Sequence, residues 1–340
     1  MTVALDATYS LGPALSGVGV YSRRLIEELV REAPEWKFLL CYRSNRFLRA
    51  LAEKRPGPNA RRCWMEEPWW APRAVDLFHG LNQRLPARRY RRTVATFHDL
   101  FVMSGEYSTP EFRQRFTALA RQAASRADLI VTVSRHTARQ VEELLGVEPS
   151  RIRVIHHGVD APSQHPSPNT QHPYLLHVGA IQTRKNIARL VEAVETLDTD
   201  LVLAGSDGYG AAEIHARIEA SPARKRIRCL GYVDPATLDT LYRTAAALVF
   251  PSLDEGFGIP VLEAMAEGLP VVTSNRSGTA EAAGDAAVLV DPTNVDAIRA
   301  GIQRALSNSA DLIRRGRDRA AQFTWTRAAR ETLAVYRELL

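Results

Sequence analysis

Short apolar runs alternate with amphipathic stretches along this chain, and that alternation constrains its fold more than any other feature. Val3–Ala7, Lys37–Tyr42, Leu77–His79, Arg92–Phe97 and Leu129–Ser134 read as strands. Val20–Glu32, Thr109–Ala127 and Arg135–Leu145 read as helices, the first with Leu25, Ile26, Leu29 and Val30 on one face. The pattern stops at Ala161–Pro173, where four prolines and no apolar periodicity mark a linker. It restarts with strand Tyr174–Val178 and helix Ile187–Thr196. Strands Leu201–Ala204, Ile227–Leu230 and Leu248–Pro251 follow, interleaved with helices Tyr209–Glu219, Pro235–Ala245 and Pro260–Glu267. Strands Val271–Ser274 and Ala287–Val290 come next, and helical patterns near 295–308 and 310–322 close the series. Parallel strands need a crossover, usually a helix, to return the chain, so this order predicts parallel pairing. The expectation is an α/β chain of two Rossmann-like, doubly wound parallel-sheet domains, residues 1–163 and 164–322, facing each other across a cleft. A length of 340 residues is also long for a single core.

Composition narrows the class. Apolar residues make up 45% and charged residues 24%, ordinary for a globular protein. No apolar run reaches the roughly 18–20 residues needed to span a bilayer. The start, MTVALDATYS, lacks the basic and apolar regions of a signal peptide, so the chain reads as cytoplasmic, at most docked on the inner face of a membrane. Cys41, Cys63 and Cys229 are scattered, without C-x-x-C spacing, which suits a reducing compartment and argues against a zinc site. Charge is uneven: residues 1–163 hold 25 Lys and Arg against 17 Asp and Glu, whereas 164–340 hold 19 against 21. Arg84, Arg88, Arg89, Arg91 and Arg92 concentrate the excess, and three tryptophans stand in the segment Trp64–Arg73 (WMEEPWWAPR). Together Trp64–Arg92 read as a peripheral membrane contact, as carbohydrate-stacking rings beside a patch for a phosphorylated acceptor, or as core tryptophans followed by a solvated basic loop. The basic residues lack interleaved stacking aromatics, so no nucleic-acid partner is expected.

The chemistry concentrates where strands end, because ligands of such sheets sit beyond the carboxyl ends of the strands. Phe250–Gly268 (FPSLDEGFGIPVLEAMAEG) reads as the end of a buried strand, a glycine-broken loop and a short helix. Glu255 falls in the loop and Glu263 one turn into the helix, with seven residues between them. Pro260 suits a helix start and Gly268 the residue past its end. The helix start offers unpaired N–H groups to an anion, whereas carboxylates prefer hydroxyl donors. A sugar joined to a diphosphate satisfies both. Arg184 and Lys185 precede a helix for which Asn186 is a candidate N-cap; they read as neutralising a diphosphate or as an exposed basic pair. His98, followed by Asp99, ends the strand Thr93–Phe97 and reads as a hydroxyl contact or as a loop histidine bonded to its own backbone. Gly17–Val18–Gly19 is either an active-site loop approaching phosphate or a plain turn. Ser22 occupies the third glycine's place, and the second strand has no acid for a ribose, so a nicotinamide fingerprint is rejected. Asp198–Thr199–Asp200 has a metal-binding form but precedes a strand, which makes it a turn. Ser206–Asp207–Gly208, Gly231–Tyr232 and Ser274–Gly278 follow strands and either line a nucleotide pocket or are turns.

Taken together, SGVGVYSRRL, TFHDL, ADLIVTVSRHT and IHHGVD in the first half, and VGAIQTRKN, LAGSDG, LGYV, FPSLDEGFGIPVLEAMAEGLPVV and GDAAVLVDP in the second, resemble a family 4 glycosyltransferase of the two-domain GT-B type. The E-x(7)-E block is the specific part. The resemblance implies a nucleotide-sugar donor on the C-terminal domain, a glycan or lipid-linked acceptor on the N-terminal domain, and retention of anomeric configuration with no metal or other cofactor. It also implies that residues 323–340 cross back to the first domain, as Ala329, Leu333, Tyr336 and Leu340 aligned on one face permit. By position, His98, Arg184, Lys185 and Glu255 would be the catalytic set. Glu255 would contact sugar hydroxyls, Glu263 the ribose diol, and His98 the sugar. Lys185, helped by Arg184, would hold the diphosphate. Gly256, Phe257 and Gly258 would face sugar and phosphates; Gly17, Gly19, Gly179, Ser206 and Ile259 complete the donor-binding set. Some subgroups carry arginine where this chain has Ala180, which shifts phosphate neutralisation onto Arg184 and Lys185. RKN after a neutral residue resembles the mannosyltransferase-like branch and points to GDP-mannose. A UDP-sugar donor and a nucleotide-sugar 2-epimerase are the alternatives.

Overall fold

The structure, a computed structural model, describes residues 1–12, 14–66, 70–162 and 173–340. It divides into two units, Met1–Gly158 with Phe323–Leu340, and Val159–Gln322. Residues 163–172 of the expected linker, and Trp69 of the tryptophan segment, lie outside the described residues. Unit 1 begins β1 (Thr2–Asp6), α1 (Gly17–Glu32), β2 (Lys37–Arg43), α2 (Ser44–Ala52), β3 (Ala60–Met65), β4 (Leu77–Gly80) and β5 (Thr93–Phe97). It continues α3 (Phe101–Ser104), α4 (Pro110–Arg126), β6 (Leu129–Thr132), α5 (Arg135–Leu145) and β7 (Ile152–Val154). Unit 2 begins β8 (Leu175–Val178), α6 (Ile187–Val194), β9 (Leu201–Ala204), α7 (Ala211–Glu219), β10 (Ile227–Gly231), α8 (Pro235–Thr244) and β11 (Ala247–Phe250). It ends α9 (Ile259–Ala266), β12 (Val271–Ser274), α10 (Ser277–Ala283), β13 (Val288–Val290), α11 (Val295–Ser307) and α12 (Ser309–Ala320), after which α13 (Trp325–Leu339) rejoins unit 1.

Both sheets are parallel throughout. Unit 1 has the order β3-β2-β1-β4-β5-β6-β7 and unit 2 the order β10-β9-β8-β11-β12-β13. Strands β4, β5, β6, β8, β9, β11 and β12 are buried at every residue, as strands covered on both faces must be. The order reverses between β1 and β4, and again between β8 and β11. There the following loops diverge to opposite faces and leave a crevice at the carboxyl ends.

Five elements escape a reading of apolar runs: β3, α2, β7 and the short helices α3 and α10. Strand β3 is an edge strand in register with β2 from Phe38↔Ala60 to Arg43↔Met65, and buries only its two end residues. Helix α2 buries only Ala50. Strand β7 is three residues long and centred on Arg153. The register also sets Cys41 opposite Cys63, both free thiols, so these two cysteines are neighbours rather than scattered.

The expected Trp64–Arg92 surface is not one patch. Trp64 lies near the carboxyl end of edge strand β3. Arg88–Arg92 lead into the amino end of β5, four strands along the sheet. Arg92 moreover donates its Nε to the Leu339 carbonyl at 2.7 Å, tying it to α13. Helix α13 buries Trp325, Ala329, Leu333 and Tyr336 in the unit 1 core. A buried polar chain crosses that core. Tyr21 Oη and Thr96 Oγ1 are 3.0 Å apart, His79 Nε2 lies 2.8 Å from Thr96 Oγ1, and His79 Nδ1 lies 2.5 Å from Tyr336 Oη. Burial holds the His79 imidazole down at about 3, so it is neutral. Among the described residues no helix is long and apolar enough to cross a membrane.

Candidate active site

Three buried charged side chains meet at the switch point of unit 2. The loop after β8 carries Arg184 and Lys185 and the loop after β11 carries Glu255; all three are at most 8% exposed. Glu255 Oε1 accepts from Lys185 Nζ at 2.6 Å, and Arg184 Nη1 lies 2.7 Å from Glu255 Oε2. Arg184 Nη1 also donates to the Asp254 carbonyl. Burial alone would push the Glu255 carboxyl up; the Arg184 and Lys185 charges override it and hold Glu255 at about 2. Lys185 Nζ sits 4.5 Å from the Phe250 ring centroid, a cation–π contact, and Phe250 stacks on buried His177. The cluster therefore carries two positive charges and one negative charge away from bulk water.

Backbone bonds hold the two loops together. Leu253 N donates to the Arg184 carbonyl at 2.9 Å, and Asn186 Nδ2 donates to Pro251 and Pro292 carbonyls at 3.0 and 2.6 Å. Asn186 thus stands at the N-cap position of α6, but its amide secures neighbouring loops and its side chain makes no cap bond. Gly179 has φ +141°, and a Cβ there would lie 3.2 Å from Lys185 Nζ, so glycine leaves the amine its place. Gly258, at φ +109°, caps α9 without any side-chain bond; Pro260 has no N–H and Val261 N donates to the Gly258 carbonyl at 3.0 Å, so the Ile259 amide is what this first turn offers a ligand. Gly256 and Phe257 are buried between Glu255 and that start, and Ile259 is its first residue. Gly278 N donates to the Glu255 carbonyl at 2.9 Å. Ser206 is exposed after β9 and its carbonyl accepts from Ile181 N at 2.9 Å.

Glu263 lies apart from the charged cluster's bonds. Its Oε2 accepts from the Tyr242 hydroxyl at 2.8 Å. Burial pushes its carboxyl up to about 7, against the Tyr242 bond, with Asp160 and Asp239 adding to the rise. The Asp198–Asp200 turn precedes β9 at the amino end, where Arg226 Nη1 donates to the Thr199 carbonyl at 2.7 Å and Leu175 N donates to the Asp200 carbonyl at 2.8 Å. Among the described residues no group of three or more His, Cys, Asp or Glu side chains is placed to hold a metal ion.

In unit 1, His98 follows β5 and is buried. Its Nε2 donates to the Leu81 carbonyl at 3.0 Å, which makes Nδ1 the lone-pair nitrogen of the neutral ring. Burial holds the imidazole down at about 4, against that backbone bond, and Nδ1 has no hydrogen-bond partner among the described residues. The ring packs edge-on to Tyr21 at 4.6 Å and to His157 at 5.5 Å. Gly17 and Gly19 do not form a loop: both belong to the first turn of α1, capped by Ser16, whose hydroxyl accepts from Gly19 N at 3.3 Å. Ser16 is a good N-cap, and with it in place the helix starts ahead of the first apolar residue.

Family comparison bears on both units. Residues 160–322 match the model described as glycosyl transferases group 1, and residues 15–162 match that described as glycosyltransferase family 4. The O-antigen chain mannosyltransferase B of Escherichia coli is 32% identical over 293 residues, covering 79% of this chain and 77% of that protein. The chain belongs to glycosyltransferase family 4. Sucrose-phosphate synthase from Thermosynechococcus elongatus superposes with TM-score 0.78 at 22% identity, over 99% of this chain and 98% of that one. Anabaena HepE, solved in complex with UDP and glucose, gives 0.74 at 16% identity, over 99% of each chain. Both likenesses carry the fold, GT-B with two parallel α/β units.

This family 4 glycosyltransferase is a hexosyltransferase. Its sequence places Arg184 and Lys185 in one motif and Glu255 in another, whereas the fold joins all three in one salt-bridged cluster. Tyr242 and His177 carry no sequence signal of a role. Tyr242 stands in an ordinary helix, and His177 stands within a strand that reads only as apolar.

Proposed function

We propose that this glycosyltransferase moves mannose from GDP-mannose to a hydroxyl of a glycan or lipid-linked acceptor, with retention at the anomeric carbon and without a metal ion. One observation carries the reading: Glu255 is shared by Arg184 and Lys185 at the unit 2 switch point, in the loop that leads to the start of α9. As the bond from sugar C1 to the phosphate oxygen loosens, charge grows on the departing diphosphate. Fixed cations and amides stabilise that charge where it develops. The acceptor oxygen attacks C1 from the face the phosphate leaves, and its proton passes to a β-phosphate oxygen, giving the glycoside and GDP. Glu255 suits hydroxyl binding rather than attack. Both its oxygens are engaged and its carboxyl is held at about 2, which makes it a weak base and nucleophile. Glu263 would bind the ribose diol and His98 the sugar, with unit 2 taking the donor and unit 1 the acceptor. The mannosyltransferase relative supports mannose, and with it GDP as the activating nucleotide. A cytoplasmic location goes with such a donor.

The test is thermal-shift screening against GDP, UDP, ADP, dTDP and their sugars, followed by turnover with and without EDTA. GDP and GDP-mannose should raise the melting temperature most, and activity should survive EDTA. Stabilisation by UDP-sugars alone would replace the donor. Loss of activity rescued by Mn²⁺ would overturn the metal-free mechanism. Incubation with donor alone should leave the sugar unepimerised.

A further inference from the structure

We propose that α2 and the outer end of β3 form a docking surface for an anionic lipid bilayer. Helix α2 buries Ala50 and rests Phe47 against the unit 1 core, but leaves Leu48 and Leu51 78% and 54% exposed. Residues three and four apart share a helix face, so Ser44, Leu48 and Leu51 form one stripe. Ser44 Oγ accepts from the Trp64 indole at 2.7 Å, which brings that ring to the end of the stripe. Trp64 in turn stacks on Trp70, with centroids 6.4 Å apart and planes 15° apart; the two are 41% and 47% exposed. Two leucines and two indoles thus lie open along one strip of unit 1, and isolated exposed apolar residues do not form such a strip.

The charges identify the occupant. From residue 44 to 70 the chain carries Arg46, Arg49, Lys54, Arg55, Arg61 and Arg62 against the carboxylates of Glu53, Glu66 and Glu67, a net of three positive charges, and Glu66 accepts from the Ser44 hydroxyl. Glu53 faces Arg23 at 3.8 Å, and every one of the six cations except Arg62 is exposed. An apolar strip within so basic a surface matches the boundary of an anionic bilayer. There, leucine and tryptophan enter the headgroup region while guanidinium groups remain at the phosphates. A second copy of this chain would bring the same positive charge and be repelled. The inference rests on the lipid-linked half of the acceptor reading above. Its test needs neither donor nor acceptor, so it can fail with the transferase reading intact.

The full chain is floated with vesicles of phosphatidylglycerol and phosphatidylcholine, and with vesicles of phosphatidylcholine alone. Binding to the anionic vesicles should shift tryptophan emission to the blue and weaken at high salt. Leu48→Ser/Leu51→Ser, and separately Arg46→Gln/Arg49→Gln, should each lower partitioning about tenfold while circular dichroism stays unchanged. The proposal is overturned if the wild type stays out of the floating fraction, or if both double variants float as well as it does. It is also overturned if scattering shows a lipid-free dimer that Leu48→Ser/Leu51→Ser dissociates.

Discussion

Replacing Glu255 with Gln removes the negative charge that Arg184 and Lys185 share, at nearly constant volume. Breaking a buried pair in this way leaves charge uncompensated and costs about 3–5 kcal/mol. The carboxyl's own position gives a separate measure. A drop from 4.5 to about 2 corresponds to about 3 kcal/mol of stability at neutral pH. The sign follows from the direction. A carboxyl held low in the folded state contributes fully above its unfolded value, near 4.5, and the contribution is lost as pH falls towards 2. Urea unfolding of wild type and Glu255→Gln, from neutral pH down to about pH 3, reads it directly. The variant should be about 3 kcal/mol less stable at neutral pH, and the gap should shrink by more than half by about pH 3, as the wild type loses the same charge. GDP supplies a replacement anion, so it should stabilise the variant more than the wild type. A gap that stays constant across the pH range would refute the charge argument. Equal stabilisation of both proteins by GDP would separate Arg184 and Lys185 from the diphosphate.

Other residues give further tests. Lys185→Ala should raise the barrier by about 3 kcal/mol, roughly a hundredfold in kcat, if the amine acts like an oxyanion-hole donor; turnover near wild type with GDP-mannose would remove that role. Glu263 titrates the opposite way from Glu255. Its carboxyl is held up at about 7, so its charged form penalises the fold, and the penalty grows as pH rises from 4.5 through 7. Glu263→Gln should therefore gain stability relative to wild type between pH 5 and 8 in thermal melts, while losing affinity for GDP in calorimetry. Tyr336→Phe leaves His79 Nδ1 buried without its 2.5 Å partner and should cost about 1–3 kcal/mol in urea unfolding, with α13 exchanging its amide protons faster.

The sequence by itself determined the two doubly wound sheets. A strand covered on both faces is a short, nearly continuous apolar run, so β9 (LVLA) and β11 (ALVF) declare themselves, and the helices between them carry a legible apolar stripe. It also placed Glu255 in a loop and Glu263 on the following helix, because Pro260 and Gly268 bracket that helix in the chain. Edge strand β3 and helix α2 stayed hidden because each buries so little of itself, and for the same reason their apolar residues are left open. Only the tertiary structure decided that one carboxylate serves both Arg184 and Lys185. The residues stand 70 positions apart, and no local pattern records that β8 and β11 are neighbours. Likewise, Trp64 and Arg88–Arg92 are close in the chain but parted by the sheet. A parallel crossover carries sequence neighbours to opposite ends of their strands, and it joins side chains from loops that sequence distance keeps apart.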